Sequence, residues 1–497
     1  MLVPHFKNRH PVSLRKLFPS ASFVGCADIH ISCVSDNSKD TGPHHLFAAI
    51  PGTKANGIDY IQEAMSNGAA SLLCERPQPH IAIPQCVVPH VRATFAKLCH
   101  ELHGKPSQRL TTIGITGTNG KTTTAYLVRS ILNAAGFQTG LLGTIEYHDG
   151  LTSGHSNLTT PDPPLLAEWL HRMVERGTTH AVFEMSSHAM HQDRTAGLEL
   201  DAAILTNITH DHLDYHRDFE NYKQSKFRIL HHSKPNGSII LNENDPHLKA
   251  LASSCPKHLS VVTYAGADSI VKATHIEQSL SETRFLLHIE GETVPVQTQL
   301  IGGHNIENCL AAAGACRRLG VEPAVIAQGI EQLQHVPGRL EAVDLGQDFR
   351  IFVDYAHTDD ALKRCLETLK PLTDNRLICV FGAGGDRDRS KRPLLAAAAR
   401  EAGIAIVTSD NPRSEEPIRI INDILEGFRG STPKVIVEPD REKAIQLAID
   451  IAEPGDTLLI AGKGHETYQI IGNNKHDFDD RKVIRTRLAQ TIARIPV

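Results

Sequence analysis

The chain has no CxxC pair, no long basic run, and no apolar stretch near the roughly 18 residues a membrane span needs. Each absence excludes something. The 10 cysteines are scattered, mostly inside apolar runs such as Leu72-Leu73-Cys74 and Ile378-Cys379-Val380. Free, buried thiols in a reducing cytoplasm are expected, and sulfur-bound metal is not. A net charge of −5 without a basic stripe argues against a nucleic-acid partner. The segment Met1 to Leu17 carries Lys7, Arg9, Arg15 and Lys16 but lacks the continuous apolar core of a signal peptide. A cytoplasmic, monomeric protein with no membrane span is expected. No short-period repeat or low-complexity tract interrupts the chain.

What is present is a long globular sequence. Its 497 residues, 40% hydrophobic and 22% charged, set a prior of about three domains. Residues 1–108 carry a βαβ-like pattern: Leu46 to Ile50, a helix around Asp59 to Asn67, then Ala70 to Leu73. His103-Gly104-Lys105-Pro106-Ser107 reads as a linker. Residues 109–337 hold strand-like runs at His180 to Phe183 and Ala203 to Thr206. They also hold a more alternating stretch, Ser260 to Gln299, expected as an antiparallel element. In residues 338–497, strand-like runs at 349–353, 377–381, 404–407, 435–437 and 458–460 alternate with helices. That alternation predicts a doubly wound, largely parallel sheet. The fold class is α/β in three domains.

The strongest local signal is Gly117-Thr118-Asn119-Gly120-Lys121-Thr122-Thr123. It follows the apolar run Thr112-Ile113-Gly114-Ile115 and opens a helix-like run. A strand, a glycine-rich turn and a helix N-terminus make an anion cradle from backbone N–H groups. Lys121 is placed to reach the β/γ-phosphates, and the Thr122 hydroxyl to hold Mg²⁺. The first glycine stands at Gly117 rather than at Ile115, so the cradle is a shorter variant of the usual motif.

Other signals lie downstream. Glu184 ends the strand Ala181-Val182-Phe183, where a Mg²⁺ ligand beside a phosphate loop belongs. Thr206-Asn207-Ile208-Thr209-His210-Asp211-His212-Leu213-Asp214 is a polar cluster after a strand, suited to metal or phosphate, or simply a polar loop. Phe219, Tyr222, Ile229 and Leu230 mark an apolar helical stripe. Lys226 falls on that stripe, whereas Lys223 and Arg228 do not. Such a lysine either snorkels or, if buried, loses its proton readily and takes up CO₂ as a carbamate, an oxygen ligand for Mg²⁺. The pattern leaves both open.

Gly117 to Thr123, Glu184-Met185-Ser186-Ser187-His188, Thr206-Asn207-Ile208 with Asp211 to Asp214, and Asp354-Tyr355-Ala356-His357 together resemble the Mur ligase family, the ATP-dependent amide-forming enzymes of peptidoglycan synthesis. Asp410-Asn411-Pro412-Arg413 and Ala461-Gly462-Lys463-Gly464-His465-Glu466 resemble the branch that adds the third peptide residue, in its meso-diaminopimelate rather than L-lysine form. The resemblance implies an N-terminal UDP-binding domain, a central P-loop ATPase-like domain and a C-terminal Rossmann-like domain. It implies catalytic roles for Lys121, Glu184, His212 and a carbamylated Lys226. Thr122 and Glu184 would hold one Mg²⁺, and His212 and Lys226 the second. Asn305, Asn308, Arg339 and Asp354 would meet the ATP. Thr159, Thr160, Ser186, Gln192 and Arg194 would bind the UDP-N-acetylmuramoyl dipeptide. Asp36, Ser38, Thr53, Lys54 and Ala55 would hold its uridine-diphosphate end. Arg392, Asp410, Asn411, Pro412, Arg413, Gly462 and Glu466 would bind meso-diaminopimelate. Three departures stand out: Leu158 where the family usually has Asn, Asn37-Ser38-Lys39 for Asp-Ser-Arg, and Asp359 for a frequent proline.

Elementary physics bears on the third block. In a doubly wound sheet, ligands sit beyond the carboxyl ends of strands. Gly384 to Arg387, Asp410 to Arg413 and Gly462 to Glu466 each follow a strand-like run, so all three are expected to line one crevice. Arg413 and Arg392 suit carboxylates and Glu466 suits an ammonium. Two other activities remain: a sister ligase adding L-lysine or another amine, or a folate-glutamyl ligase. A non-ligating nucleotide-binding regulator is the more distant reading.

Overall fold

The computed structural model describes residues 11–52, 55–428 and 433–492. Thr53 and Lys54, like Lys7 and Arg9, lie outside the described residues. Three large sheets organise the chain.

The central sheet has eleven strands. Its middle is parallel: Thr139–Leu142, His180–Glu184, Thr111–Thr116, Leu200–Leu205, Ser233–Asn242 and Ser260–Tyr264 lie side by side in that order. The centres of these strands are largely apolar because both faces are covered. Ile113, Ile115, Val182, Ile204 and Ile240 face one core, with the helices Lys121–Ala134 and Gly303–Arg318. Ala181, Phe183, Ala203, Leu205, Ile239 and Leu241 face the other. The alternating stretch divides: Ser260–Tyr264 pairs parallel, and only Val271–Gln278, Thr283–Ile289 and Glu292–Thr298 are antiparallel. Val261 and Val262, adjacent apolar residues, fit a strand covered on both faces.

The last sheet follows the expected pattern of strands. Arg350–Asp354, Thr457–Ala461, Leu377–Phe381, Ile404–Val407 and Lys434–Val437 run parallel, with Glu341–Ala342 antiparallel at one edge. Adjacent parallel strands put their carboxyl ends, and the loops that follow, on one edge. The first sheet is smaller, with Cys33–Ser35, His45–Ala48, Ser71–Cys74 and Gln85–Val87 parallel and Ser22–Val24 antiparallel. Cys74, Cys86, Cys99, Cys309, Cys316, Cys365 and Cys379 are buried free thiols, and Cys26, Cys33 and Cys255 are only half-buried. Among the described residues, no helix is long and apolar enough to cross a membrane.

Candidate active site

The phosphate loop joins the strand Thr111–Thr116 to the helix Lys121–Ala134. Gly120 precedes the helix at φ +86°, and a Cβ there would lie 2.4 Å from Asn308 Oδ1. Only glycine fits both constraints. The Lys121 amine donates to the carbonyls of Gly117 at 2.8 Å and Thr118 at 2.9 Å. Burial pushes its pKa below the usual lysine range. Glu184 is buried, and its Oε2 accepts from the Thr122 hydroxyl at 3.0 Å and the Thr144 hydroxyl at 2.9 Å. Thr144 was not foreseen, although it follows the strand Thr139–Leu142 as Glu184 ends its own.

These groups line a cavity of about 290 Å³ with His212, Asn305, Asn308, Arg339 and Asp354. Asn308 Nδ2 donates to Asn305 Oδ1 at 3.0 Å, which fixes both amides beneath the loop. Asp354 accepts from the backbone N–H of Leu340 at 2.6 Å and of Ala356 at 2.7 Å. It thereby holds the turn that carries Arg339, whose Nη2 lies 3.3 Å from Thr122 Oγ1. A side chain from the third block thus reaches the phosphate loop. Asp360 does likewise and Lys391 reaches the turn at Asp211, and the sequence did not single them out. Asn119 Nδ2 donates to Asp360 Oδ2 at 2.8 Å, and Lys391 pairs with Asp211 at 2.9 Å.

The helix Phe219–Phe227 settles one open alternative: Lys226 does not snorkel. It is 2% exposed, and its Nζ donates to the Gly117 carbonyl at 2.6 Å. No carboxylate pairs with it among the described residues. Burial, with Lys121 nearby, pushes its pKa well below the lysine range. His212 sits at φ +53° with its Nε2 3.4 Å from Asp211 Oδ2, and burial lowers it to about 4. Among the described residues, no three His, Cys, Asp or Glu side chains are grouped to hold a metal by themselves.

The three loops beyond the last sheet come together. The Gly385 N–H donates to the Asn411 carbonyl at 2.9 Å, and Arg413 Nη1 donates to the Gly385 carbonyl at 2.6 Å. Asn411 Nδ2 donates to Glu466 Oε2 at 3.0 Å. A Cβ on Gly385 would lie 1.8 Å from the Pro412 carbonyl oxygen, and one on Gly462 2.6 Å from Asp410 Oδ2, so both glycines are required for this approach. Arg392 departs from expectation. Its guanidinium is buried and bound to Glu415 at 2.7 Å and to Asp423 at 2.9 Å, so it offers no fork to a ligand. Arg387 is exposed, and its Cγ and the Arg413 Nη1 both lie near Gly384.

Comparison with known proteins follows this geometry. Residues 115–316 match the Mur ligase middle domain, and residues 338–464 match the Mur ligase, glutamate ligase domain. The chain is 40% identical over 465 residues to the UDP-N-acetylmuramoyl-L-alanyl-D-glutamate–2,6-diaminopimelate ligase of Geobacillus thermodenitrificans, covering 91% of this chain and 94% of that one. The chain belongs to the Mur ligase family. A solved structure of a ligase of that same description superposes with a TM-score of 0.70 at 30% identity, covering 97% and 99% of the two chains. The MurF ligase of Thermotoga maritima, solved in complex with ADP, shares the fold at a TM-score of 0.60 and 20% identity, covering 92% and 96%.

In this Mur ligase a polar row leads away from Glu184. Thr159 Oγ1 lies 3.1 Å from Thr144 Oγ1, Thr160 Oγ1 donates to the Glu184 carbonyl at 2.8 Å, and the Ser186 N–H donates to Thr160 Oγ1 at 3.0 Å. Arg194 donates to Gln192 Oε1 through Nε at 2.9 Å and Nη2 at 2.7 Å. Leu158 projects outward, 40% exposed, while its carbonyl accepts from the Tyr147 hydroxyl. In the first sheet's domain, Asp36 and Ala55 are exposed, whereas Ser38 is buried with its hydroxyl on Glu63 Oε2 at 2.5 Å. The Ser38 side chain therefore serves the loop itself. The Lys39 side chain is exposed beside it.

Proposed function

We propose that this Mur ligase adds meso-diaminopimelate to UDP-N-acetylmuramoyl-L-alanyl-D-glutamate, forming an amide at the expense of ATP in cytoplasmic peptidoglycan precursor synthesis. The observation that carries the substrate is the crevice beyond the last sheet, where the loop bearing the Arg413 guanidinium, bonded to the Gly385 carbonyl, meets the Glu466 carboxylate through Asn411. Diaminopimelate ends in a carboxylate and an ammonium, and a guanidinium binds a carboxylate bidentately. We assign residues 1–108 to the UDP end, 109–337 to ATP and the muramoyl peptide, and 338–497 to the amino acid.

The donors fit the metal that family membership implies. Thr122 and Glu184 supply hard oxygens for Mg²⁺, and His212 with a carbamylated Lys226 would complete a second site. Bound Mg²⁺ would neutralise charge on the phosphates. The chain's own groups do the rest. Loop N–H groups and Lys121 orient the γ-phosphate for in-line attack by the D-glutamyl carboxylate, and Arg339 reaches in from the third block. ADP leaves and an acyl phosphate forms. The diaminopimelate amine then attacks the acyl carbon, a base takes its proton, and phosphate departs. His357 also lines the cavity and is the candidate base when His212 holds the metal. ADP release in the absence of the muramoyl substrate tests this order. Formation at an unchanged rate would overturn it.

A further inference from the structure

A cation that this reading leaves idle lies behind the amino-acid crevice. Lys463 follows the strand Thr457–Ala461, and its side chain is 0% exposed. Its Nζ lies 3.0 Å from Glu466 Oε2 and 3.2 Å from Asn411 Oδ1. Asn411 Nδ2 donates to the same Glu466 oxygen at 3.0 Å. Oε2 is thus held from two sides, while Oε1 takes no hydrogen bond from the described residues. The Tyr468 ring, its centre 5.5 Å from Nζ, helps cover the ammonium. An ion pair so shielded from water is little screened, and its field reaches the crevice.

The pair changes what Glu466 can do. Its charge is offset from behind before any ligand arrives. Arg387, Arg413 and Lys463 then stand against Asp386, Asp410 and Glu466, so the crevice carries no net negative charge. A ligand ending in a lone ammonium meets no net negative charge and is not held. A ligand ending in a zwitterion gives its carboxylate to the arginines and one N–H to Oε1. We infer that Lys463 is a specificity-determining positioning residue: its buried ammonium compensates Glu466, so that the crevice accepts an amino acid with a zwitterionic far end and rejects one with a lone ammonium. Discrimination here comes from cancelling the attraction a lone ammonium would otherwise find, as well as from the contacts a carboxylate makes. The inference rests on the proposed function.

The test compares kcat/KM for meso-diaminopimelate and L-lysine in the intact protein and in Lys463→Met, Lys463→Gln and Lys463→Arg. The intact protein is expected to prefer meso-diaminopimelate. Both neutral variants should lower that preference by about tenfold or more, chiefly by admitting L-lysine. Lys463→Arg should keep it. Lys463→Gln retains a hydrogen-bond donor toward Glu466 and serves where Lys463→Met fails to fold. The double variant Lys463→Met/Glu466→Gln carries no uncompensated charge and should gain nothing toward L-lysine. Equal loss for both amino acids in the neutral variants, with the preference intact, would overturn the inference and leave the proposed function standing. No turnover of meso-diaminopimelate by the intact protein would overturn both.

Discussion

Lys226 shows how much one side chain depends on its surroundings. An exposed lysine is a hydrated cation, whereas this one is buried against the Gly117 carbonyl with no carboxylate paired to it among the described residues. A neutral amine is the favoured form there, and a carbamate would turn it into an anion facing Lys121. Lys226→Ala should lower ligation by about a hundredfold or more, with partial rescue by short-chain carboxylates. Full activity in a phosphate-release assay would remove the carbamate role. Arg413 makes a different prediction. Its φ of +53° and its bond to the Gly385 carbonyl aim the guanidinium into the crevice. Arg413→Ala should raise KM for meso-diaminopimelate roughly tenfold or more and leave KM for ATP nearly unchanged. Equal rises in both would reject the specificity role.

At the scale of elements, the active site is built from strand ends and the turns after them. The phosphate loop works because Gly120 lets the helix Lys121–Ala134 begin against Asn308. Gly120→Ala adds a Cβ at a left-handed position, costing about 1–2 kcal/mol locally, and displaces either the loop or Asn308. KM for ATP should rise at least about tenfold while far-UV circular dichroism stays unchanged; an unchanged KM would show that the cradle tolerates the shift. Most of these elements were legible in the sequence. The five strand runs of the third block, the loop-to-helix junction and the inward stripe of Lys226 all follow from local periodicity. Pairing across the chain was not. Arg392 looks like a free carboxylate ligand until Glu415 and Asp423 fold over it. Lys391, Asp360 and Thr144 carry no local signal because their partners, Asp211, Asn119 and Glu184, are distant in sequence. Lys463 lay within a quoted motif, yet nothing in its neighbours' order told that it would be buried against Glu466.

At the scale of the whole molecule, the cavity is shared between blocks. Arg339, Asp360 and Lys391 come from the last block, and their partners Thr122, Asn119 and Asp211 from the central one. Elsewhere the helix Val91–Leu102 packs His100 against the turn at Gly197, where a Cβ would sit 3.0 Å from the His100 ring. Both His100 ring nitrogens are buried without a hydrogen-bond partner among the described residues. Burial lowers His100 to about 4, and His232 nearby also to about 4. An unfolded histidine titrates near 6.5. Between about pH 4 and 6.5 the unfolded chain therefore binds more protons than the folded one, so stability is full above pH 6.5 and falls as pH drops toward 4. The melting temperature should decline across that window, and His100→Leu should flatten the decline; a variant that declines as steeply as the intact protein would place the titration elsewhere.

The central claim is a single ligation joining the two sites. Phosphate release from ATP should therefore be followed with UDP-N-acetylmuramoyl-L-alanyl-D-glutamate, once with meso-diaminopimelate and once with L-lysine. Turnover with meso-diaminopimelate and little with L-lysine is the predicted result. Equal or greater turnover with L-lysine would contradict the reading of the Arg413 crevice, and silence with both would contradict the ligation itself.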